Sequence, residues 1–207
     1  MPITDYFSRN KDKRAKYIFN TIAPLYSKFD RSLQNGFEIS SKILDKEIII
    51  AGKSVLDIGT GTGAWAAAIN KMGASKVHGV DFSDKMLAQA EKNHPEMDFS
   101  FSHADNLIQF EDNSFDIVTA SFVLHGHDKE TRKTILKEMK RVSKKYVILH
   151  DMIGRTPIFV KFLEFLEQSD YRNFKRQFNQ ELKEEFKTSR KIPVKYGSGL
   201  YIAEKWN

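Results

Sequence analysis

The chain contains no cysteine. That excludes disulfides, thiolate metal sites and any cysteine nucleophile. Proline is sparse, with five residues and no Pro-Pro pair, and tryptophan occurs twice. No apolar run approaches the length a membrane-spanning helix needs. Residues 1–16 are polar and charged, without the apolar core of a secretory signal, so a cytoplasmic protein is expected. There is no internal repeat and no low-complexity segment. What remains is ordinary for a globular chain of 207 residues, with 41% hydrophobic and 29% charged residues. The net charge of +6 is spread among acidic residues, as in Lys129-Glu130, Arg132-Lys133 and Lys137-Glu138. Such interleaving predicts a solvated helix face rather than a nucleic-acid patch.

The most informative stretch is Lys53-Ser54-Val55-Leu56-Asp57-Ile58-Gly59-Thr60-Gly61-Thr62-Gly63-Ala64-Trp65. Val55, Leu56 and Ile58 suit a strand buried on both faces. The glycines permit a sharp turn and a close ligand approach. A helix over Ala64–Met72, stopped by Gly73, would aim its first N–H groups into that turn. Gly59, Gly61 and Ala64 formally satisfy the dinucleotide pattern, but Asp57 would repel a pyrophosphate there. A ligand carrying an amine or sulfonium would welcome it.

Downstream, short apolar strands alternate with helices. Lys76–Asp81 ends in a carboxylate about 20 residues past the glycines, the separation at which an acid reaches ribose hydroxyls. Ser83 is free to cap the helix Asp84–Asn93, which leaves Asp81 for that task. Met97–Phe101 is a third strand, the stretch Asn113–His125 holds a fourth with Ile117, Val118 and Ala120 buried, and Tyr146–Asp151 is a fifth. Asp128 caps a helix whose core stripe is Ile135, Leu136, Met139 and Val142. Thr156-Pro157 opens a helical region with Phe159, Phe162, Leu163 and Leu166 on one face, continued by Phe174, Phe178, Leu182 and Phe186. Two alternating stretches around Gly197-Ser198-Gly199 predict a closing β-hairpin.

Asp57-x-Gly59-x-Gly61-x-Gly63 resembles motif I of the class I S-adenosylmethionine (SAM) methyltransferases. Asn113-Ser114-Phe115-Asp116 through Leu124-His125 is similar to another strand of that superfamily. Ile22-Ala23-Pro24-Leu25-Tyr26-Ser27-Lys28-Phe29-Asp30 resembles the opening of the ubiquinone/menaquinone biosynthesis C-methyltransferases. The resemblance covers about residues 53 to 206. It implies an α/β, Rossmann-like fold with a seven-stranded, mostly parallel sheet whose last strand is antiparallel. Residues 1–50 would form an N-terminal helical cap and 51–207 the SAM-binding unit.

The resemblance also implies roles. Asp57, Gly59, Thr60, Gly61 and Gly63 would hold the methionine end of SAM, Asp81 the ribose, and Phe82 and Met86 the adenine faces. Ala104, Asp105 and Asn106 would reach the adenine edge, with Asp105 the only acid nearby. Ser121 and Phe122 would close the cofactor site. His125, His150 and Tyr26 are the candidate catalytic residues. Each has a plainer reading: His125 as a loop residue, His150 hydrogen-bonded with Asp151, and Tyr26 as a core aromatic of the cap. No metal is implied, and the product cofactor would be S-adenosylhomocysteine.

The absence of cysteine removes the methyltransferases that attack through a thiolate. The absence of a Pro-Pro motif weighs against nucleobase-amine and glutamine acceptors. A small-molecule acceptor is therefore expected. The alternatives are an RNA or protein methyltransferase, a SAM-binding module without turnover, and a nicotinamide reductase.

Overall fold

The structure is a computed structural model that describes residues 14, 16–18, 20–21, 35–154 and 170–205. Its centre is β1 (Ser54–Ile58), flanked by β2 (Lys76–Asp81) and β4 (Phe115–Ser121). With β3 (Asp98–Phe101), β5 (Ser143–Met152), β6 (Thr188–Pro193) and β7 (Ser198–Glu204) they form one seven-stranded sheet. The order is β3-β2-β1-β4-β5-β7-β6. The first five strands are parallel, and β7 runs antiparallel between β5 and β6. The expected hairpin is therefore present, with its second arm wedged inside the sheet.

Helices cover both faces because each face carries its own apolar set. Val55, Val77, Ile117 and Ile148 pack beneath α1 (residues 35–45) and α2 (Ala64–Asn70), against Phe37, Leu44, Trp65 and Ile69. Leu56, Ile58, Val118 and Val147 pack on the other face with Ile135, Leu136 and Met139 of α4 (Lys129–Val142). Phe174, Phe178 and Leu182 of α5 (Tyr171–Glu185) complete that layer. The helix α3 (Asp84–Asn93) starts at Ser83, whose hydroxyl accepts from the Met86 N–H as expected. Residues 1–10, Tyr26 and the stretch from Thr156 to Leu166 lie outside the described residues.

The solvated-face expectation fails at Arg132, whose side chain is fully buried. Its Nε and Nη2 donate to the two Glu181 oxygens at 2.8 and 2.6 Å, and Nη1 donates to Asp170 at 3.0 Å. Nη1 also donates to the His127 carbonyl at 2.6 Å. Burial opposes the charge, but these carboxylates outweigh it and hold the guanidinium firmly protonated. The network fastens α4, α5 and the loop after β4 to one another.

Candidate active site

The first five strands all point their C-terminal ends the same way, and an open sheet of this kind binds its ligands there. Five segments meet at this edge: the glycine turn, the end of β2, the turn after β3, the loop after β4 and the end of β5.

The glycine turn is tied directly to β2. The Thr60 N–H donates to the Val80 carbonyl and the Gly61 N–H to Asp81 Oδ2, both at 2.9 Å. Gly59, Gly61 and Gly63 all have φ values between +56° and +83°, in the left-handed region. Their surroundings differ. A Cβ on Gly59 would stand 2.4 Å from a Val123 methyl, and one on Gly63 would stand 2.8 Å from the His94 ring. A Cβ on Gly61 would meet nothing within 4 Å, so Gly61 faces an open cradle.

Asp57 lies at the end of β1 with 0% exposure. Neither carboxylate oxygen has a hydrogen-bond partner among the described residues. Burial pushes its acid up to about 8; the nearby Thr60 hydroxyl opposes the shift without reaching hydrogen-bond geometry, and the Asp81 charge adds to it. A buried, uncompensated carboxylate is costly to keep unless a cation is meant to meet it.

Asp81 is also buried, and burial raises its acid, countered by the backbone N–H groups of Ser83 and Gly61. The Ser83 N–H donates to its Oδ1 at 2.8 Å. Each oxygen keeps a further lone pair for ligand hydroxyls. Phe82 is half-buried and Met86 is buried at the start of α3.

Asp105 is exposed and lines a surface groove with Asn106, Ile108, Glu138 and Arg141. Ala104 packs against the core. The residue that stands beside Phe82 is His103, with ring centroids 6.1 Å apart. His103 is the residue that a one-residue insertion in this turn would bring to the adenine position in place of the acid Asp105.

The N-terminal helical residues reach the same corner. Ser83 Oγ donates to Asn20 Oδ1 at 2.5 Å, and Lys16 pairs with Asp84 at 2.9 Å. The Lys16 ammonium also sits 5.1 Å from the Phe101 ring centroid.

At the end of β4, Ser121 Oγ lies 3.1 Å from His150 Nδ1. His150 Nε2 lies 3.2 Å from both Ser40 Oγ of α1 and Ser198 Oγ of β7. The ring is enclosed by Phe37, Trp65 and Phe122. Burial pulls the His150 imidazole down to about 4, so it is neutral at physiological pH. It joins α1 to β4 and β7.

His125 occupies a short 3-10 turn, Leu124–Gly126, just beyond Phe122. Its Nδ1 lies 2.8 Å from Asp151 Oδ1, and its backbone N–H donates to Asp151 Oδ2 at 3.4 Å. Phe122 has φ +56°, an uncommon conformation for a bulky residue, and is 37% exposed. No cluster that could hold a metal occurs among the described residues.

Comparison with known proteins agrees with this geometry. Residues 55–146 match the profile of a methyltransferase domain. The chain is 31% identical over 153 residues to the demethylmenaquinone methyltransferase of Chlorobaculum parvum, covering 70% of this chain and 62% of that one. It is 32% identical over 161 residues to the ubiquinone/menaquinone biosynthesis C-methyltransferase of Bdellovibrio bacteriovorus, covering 73% and 68%. The chain thus spans about three fifths of the first demethylmenaquinone methyltransferases it matches. The magnesium protoporphyrin IX methyltransferase of Synechocystis, solved with bound S-adenosylhomocysteine, shares the fold with a TM-score of 0.63 at 18% identity, over 84% of this chain and 83% of that one. With this domain match and a relative covered over two thirds of its length, the chain belongs to the class I SAM-dependent methyltransferases.

Proposed function

We propose that the protein transfers a methyl group from SAM to a small-molecule acceptor. The observation that carries this reading is Asp57: a fully buried carboxylate without a hydrogen-bond partner among the described residues, behind an open glycine cradle. A ligand with an ammonium group supplies the missing cation, and a ribose diol completes Asp81. SAM carries both, and its sulfonium supplies an activated methyl group. Asp57 accepts from the ammonium, Gly59, Thr60, Gly61 and Gly63 shape the cradle, and Asp81 accepts from the ribose. Phe82 and Met86 offer an aromatic and a thioether face to the adenine. His103, whose ring centroid lies 6.1 Å from that of Phe82, joins Ala104, Asp105 and Asn106 at the adenine end.

The residues of the chain work by placement. Methyl transfer from a sulfonium needs in-line alignment and exclusion of water, and such positioning supplies on the order of 7–11 kcal/mol. The helices before residue 50 serve as the cap, which the Asn20–Ser83 and Lys16–Asp84 contacts support. Ser121 and Phe122, at the C-terminal end of β4, close the cofactor site. The names of the relatives favour a ring acceptor of the demethylmenaquinone kind.

Calorimetry with SAM and with S-adenosylhomocysteine tests the cofactor, and methylation of demethylmenaquinol tests the acceptor. Both cofactor forms are expected to bind, and Asp57→Asn is expected to weaken both. A protein that binds neither would overturn the proposal.

A further inference from the structure

We propose that His150, with its ring proton on Nε2, is a positioning residue for the cofactor: its Nδ1 holds the Ser121 hydroxyl proton, so Ser121 Oγ turns only lone pairs toward the cofactor site and accepts there from the ammonium of SAM. This rests on the reading of the site as a SAM methyltransferase and adds to it how the site selects a cofactor that carries an amine. Three observations carry it.

The first is a count of protons around the imidazole. A serine hydroxyl has one hydrogen to donate. Ser40 Oγ donates to the Gly36 carbonyl at 3.1 Å, and Ser198 Oγ donates to the Lys195 carbonyl at 3.0 Å. Both oxygens also lie 3.2 Å from His150 Nε2. With their hydrogens committed to carbonyls, both can only accept from that nitrogen. Nε2 therefore carries the ring proton and shares it between them. The other tautomer would set the Nε2 lone pair against both oxygens, and relieving that would detach a serine from its carbonyl. Burial keeps the imidazole neutral, so Nδ1 keeps its lone pair. Ser121 Oγ, 3.1 Å from Nδ1, is then the donor.

The second is position. Ser121 and His150 are register partners on β4 and β5. Asp57 is the register partner of Thr119, two residues before Ser121. Side chains alternate along a strand, so Asp57, Thr119 and Ser121 share one face of the sheet. The last β1–β4 pair is Ile58 with Ala120, which sets Ser121 level with the start of the glycine turn. Thr119, between the two on that face, accepts from Trp65 Nε1 at 2.9 Å. Ser121 is half-buried, whereas His150 is buried. The serine oxygen thus stands between a buried ring and the cradle in front of Asp57. An ammonium has three N–H groups. Asp57 meets its charge, and Ser121 Oγ takes a second hydrogen bond from it.

The third is rigidity. The rings of Phe37, Trp65 and Phe122 enclose the imidazole, with centroids 5.6, 5.2 and 4.8 Å away. The Phe122 N–H donates to the His150 carbonyl at 2.8 Å, so the chain just after Ser121 is tied to the same histidine. A hydroxyl held in this way does not turn its hydrogen toward a ligand. The site favours a donor and disfavours an acceptor at that point, through an orientation fixed before the ligand arrives.

The test uses 15N-labelled full-length protein, and calorimetry with S-adenosylhomocysteine and with its deaminated analogue. The ring nitrogen shifts of His150 should report Nε2–H with Nδ1 unprotonated. Ser121→Ala should weaken binding of S-adenosylhomocysteine by about 10–100-fold, as for a lost hydrogen bond to a charged group. The deaminated analogue should bind Ser121→Ala and the unaltered protein alike. His150→Gln keeps a polar group near Ser40 and Ser198 but none at the Nδ1 position, and should weaken S-adenosylhomocysteine by about 3–10-fold. His150→Asn sets its side-chain oxygen near the Nδ1 position and should recover most of that loss, although it forgoes Ser40 and Ser198 and should melt lower. A purely structural role for His150 predicts the reverse order of affinities, and that order overturns the proposal. So does an Nδ1–H tautomer in the unaltered protein, whatever the variants do. Unchanged affinity in Ser121→Ala, or an equal loss for the deaminated analogue, also overturns it. Failure of the unaltered protein to bind SAM or S-adenosylhomocysteine sinks the methyltransferase reading instead, and the tautomer measurement still decides on the bond from Ser121 to His150.

Discussion

Asp81 and Asp57 repel each other across the glycine turn, and burial together with that repulsion holds the Asp57 acid up at about 8. Asp81 is the better satisfied of the two, because it accepts from the backbone N–H groups of Gly61 and Ser83. Asp57 has no such donors among the described residues, and the strain falls on it.

The sign of the consequence is definite. The folded-state acid lies above its unfolded value of 3.8, so the stability this group contributes is fully present below pH 3.8 and is lost as pH rises through about 8. Asp57→Asn is therefore expected to melt higher than the unaltered protein at pH 8, by several degrees, since each kcal/mol corresponds to about 2–4 °C at this size. The gap should close as the pH approaches 4. The same substitution should weaken SAM binding. Below pH 8 the unaltered protein should release a proton as SAM binds, detectable by calorimetry in buffers of different ionisation enthalpy. Proton uptake instead would contradict this account.

Gly61→Ala and Gly59→Ala should separate binding from stability. A Cβ at Gly61 enters the open cradle, and the positive φ costs about 1–2 kcal/mol. Its main effect is expected on SAM affinity, with only a modest drop in melting temperature. A Cβ at Gly59 strikes Val123 at 2.4 Å, so that variant should lose stability first. Calorimetry and thermal melting on both variants check the contrast.

His150 should govern acid sensitivity. Burial lowers its imidazole to about 4, against 6.5 unfolded. Stability contributed by the neutral ring is present above pH 6.5 and disappears as pH falls to 4. His150→Gln keeps hydrogen bonding to the serines without a proton to gain in this range. Relative to the unaltered protein, it should lose less stability between pH 6.5 and 4. Melting curves across that interval read it out.

Arg132→Met should cost about 3–5 kcal/mol, because Glu181 is left as a buried charge without its partner. Arg132→Met combined with Glu181→Leu should recover much of that loss. Denaturant titration of the single and double variants gives the comparison.

Much of the architecture was legible in local chemistry. Strands whose last residue is acidic, the glycine turn and the Ser83 and Asp128 caps are decided by residues a few positions apart. The hairpin was readable from the turn residues around Gly197, although its arms begin earlier than alternation indicates. Arg132 was not legible. Helical spacing identifies an apolar stripe, and nothing near Arg132 announces that Glu181 will arrive from 49 positions away. The turn holding His103 and Asp105 was equally opaque. There a single residue of register decides which side chain stands beside Phe82. The left-handed backbone of Phe122 is likewise imposed by its neighbours in space, since the residue type itself disfavours it.

The insertion of β7 between β5 and β6 has a consequence for the order of assembly. Met152 pairs with Ser198, and Asp151 with Gly199, across a long excursion of chain. Contacts so distant in sequence form late, since closing the intervening loop must be completed before pairing rewards it. The glycine turn and its carboxylates need only the strands before residue 121. A growing chain would thus acquire its glycine turn and the two carboxylates beside it well before the edge that carries His150 and Asp151 is secured.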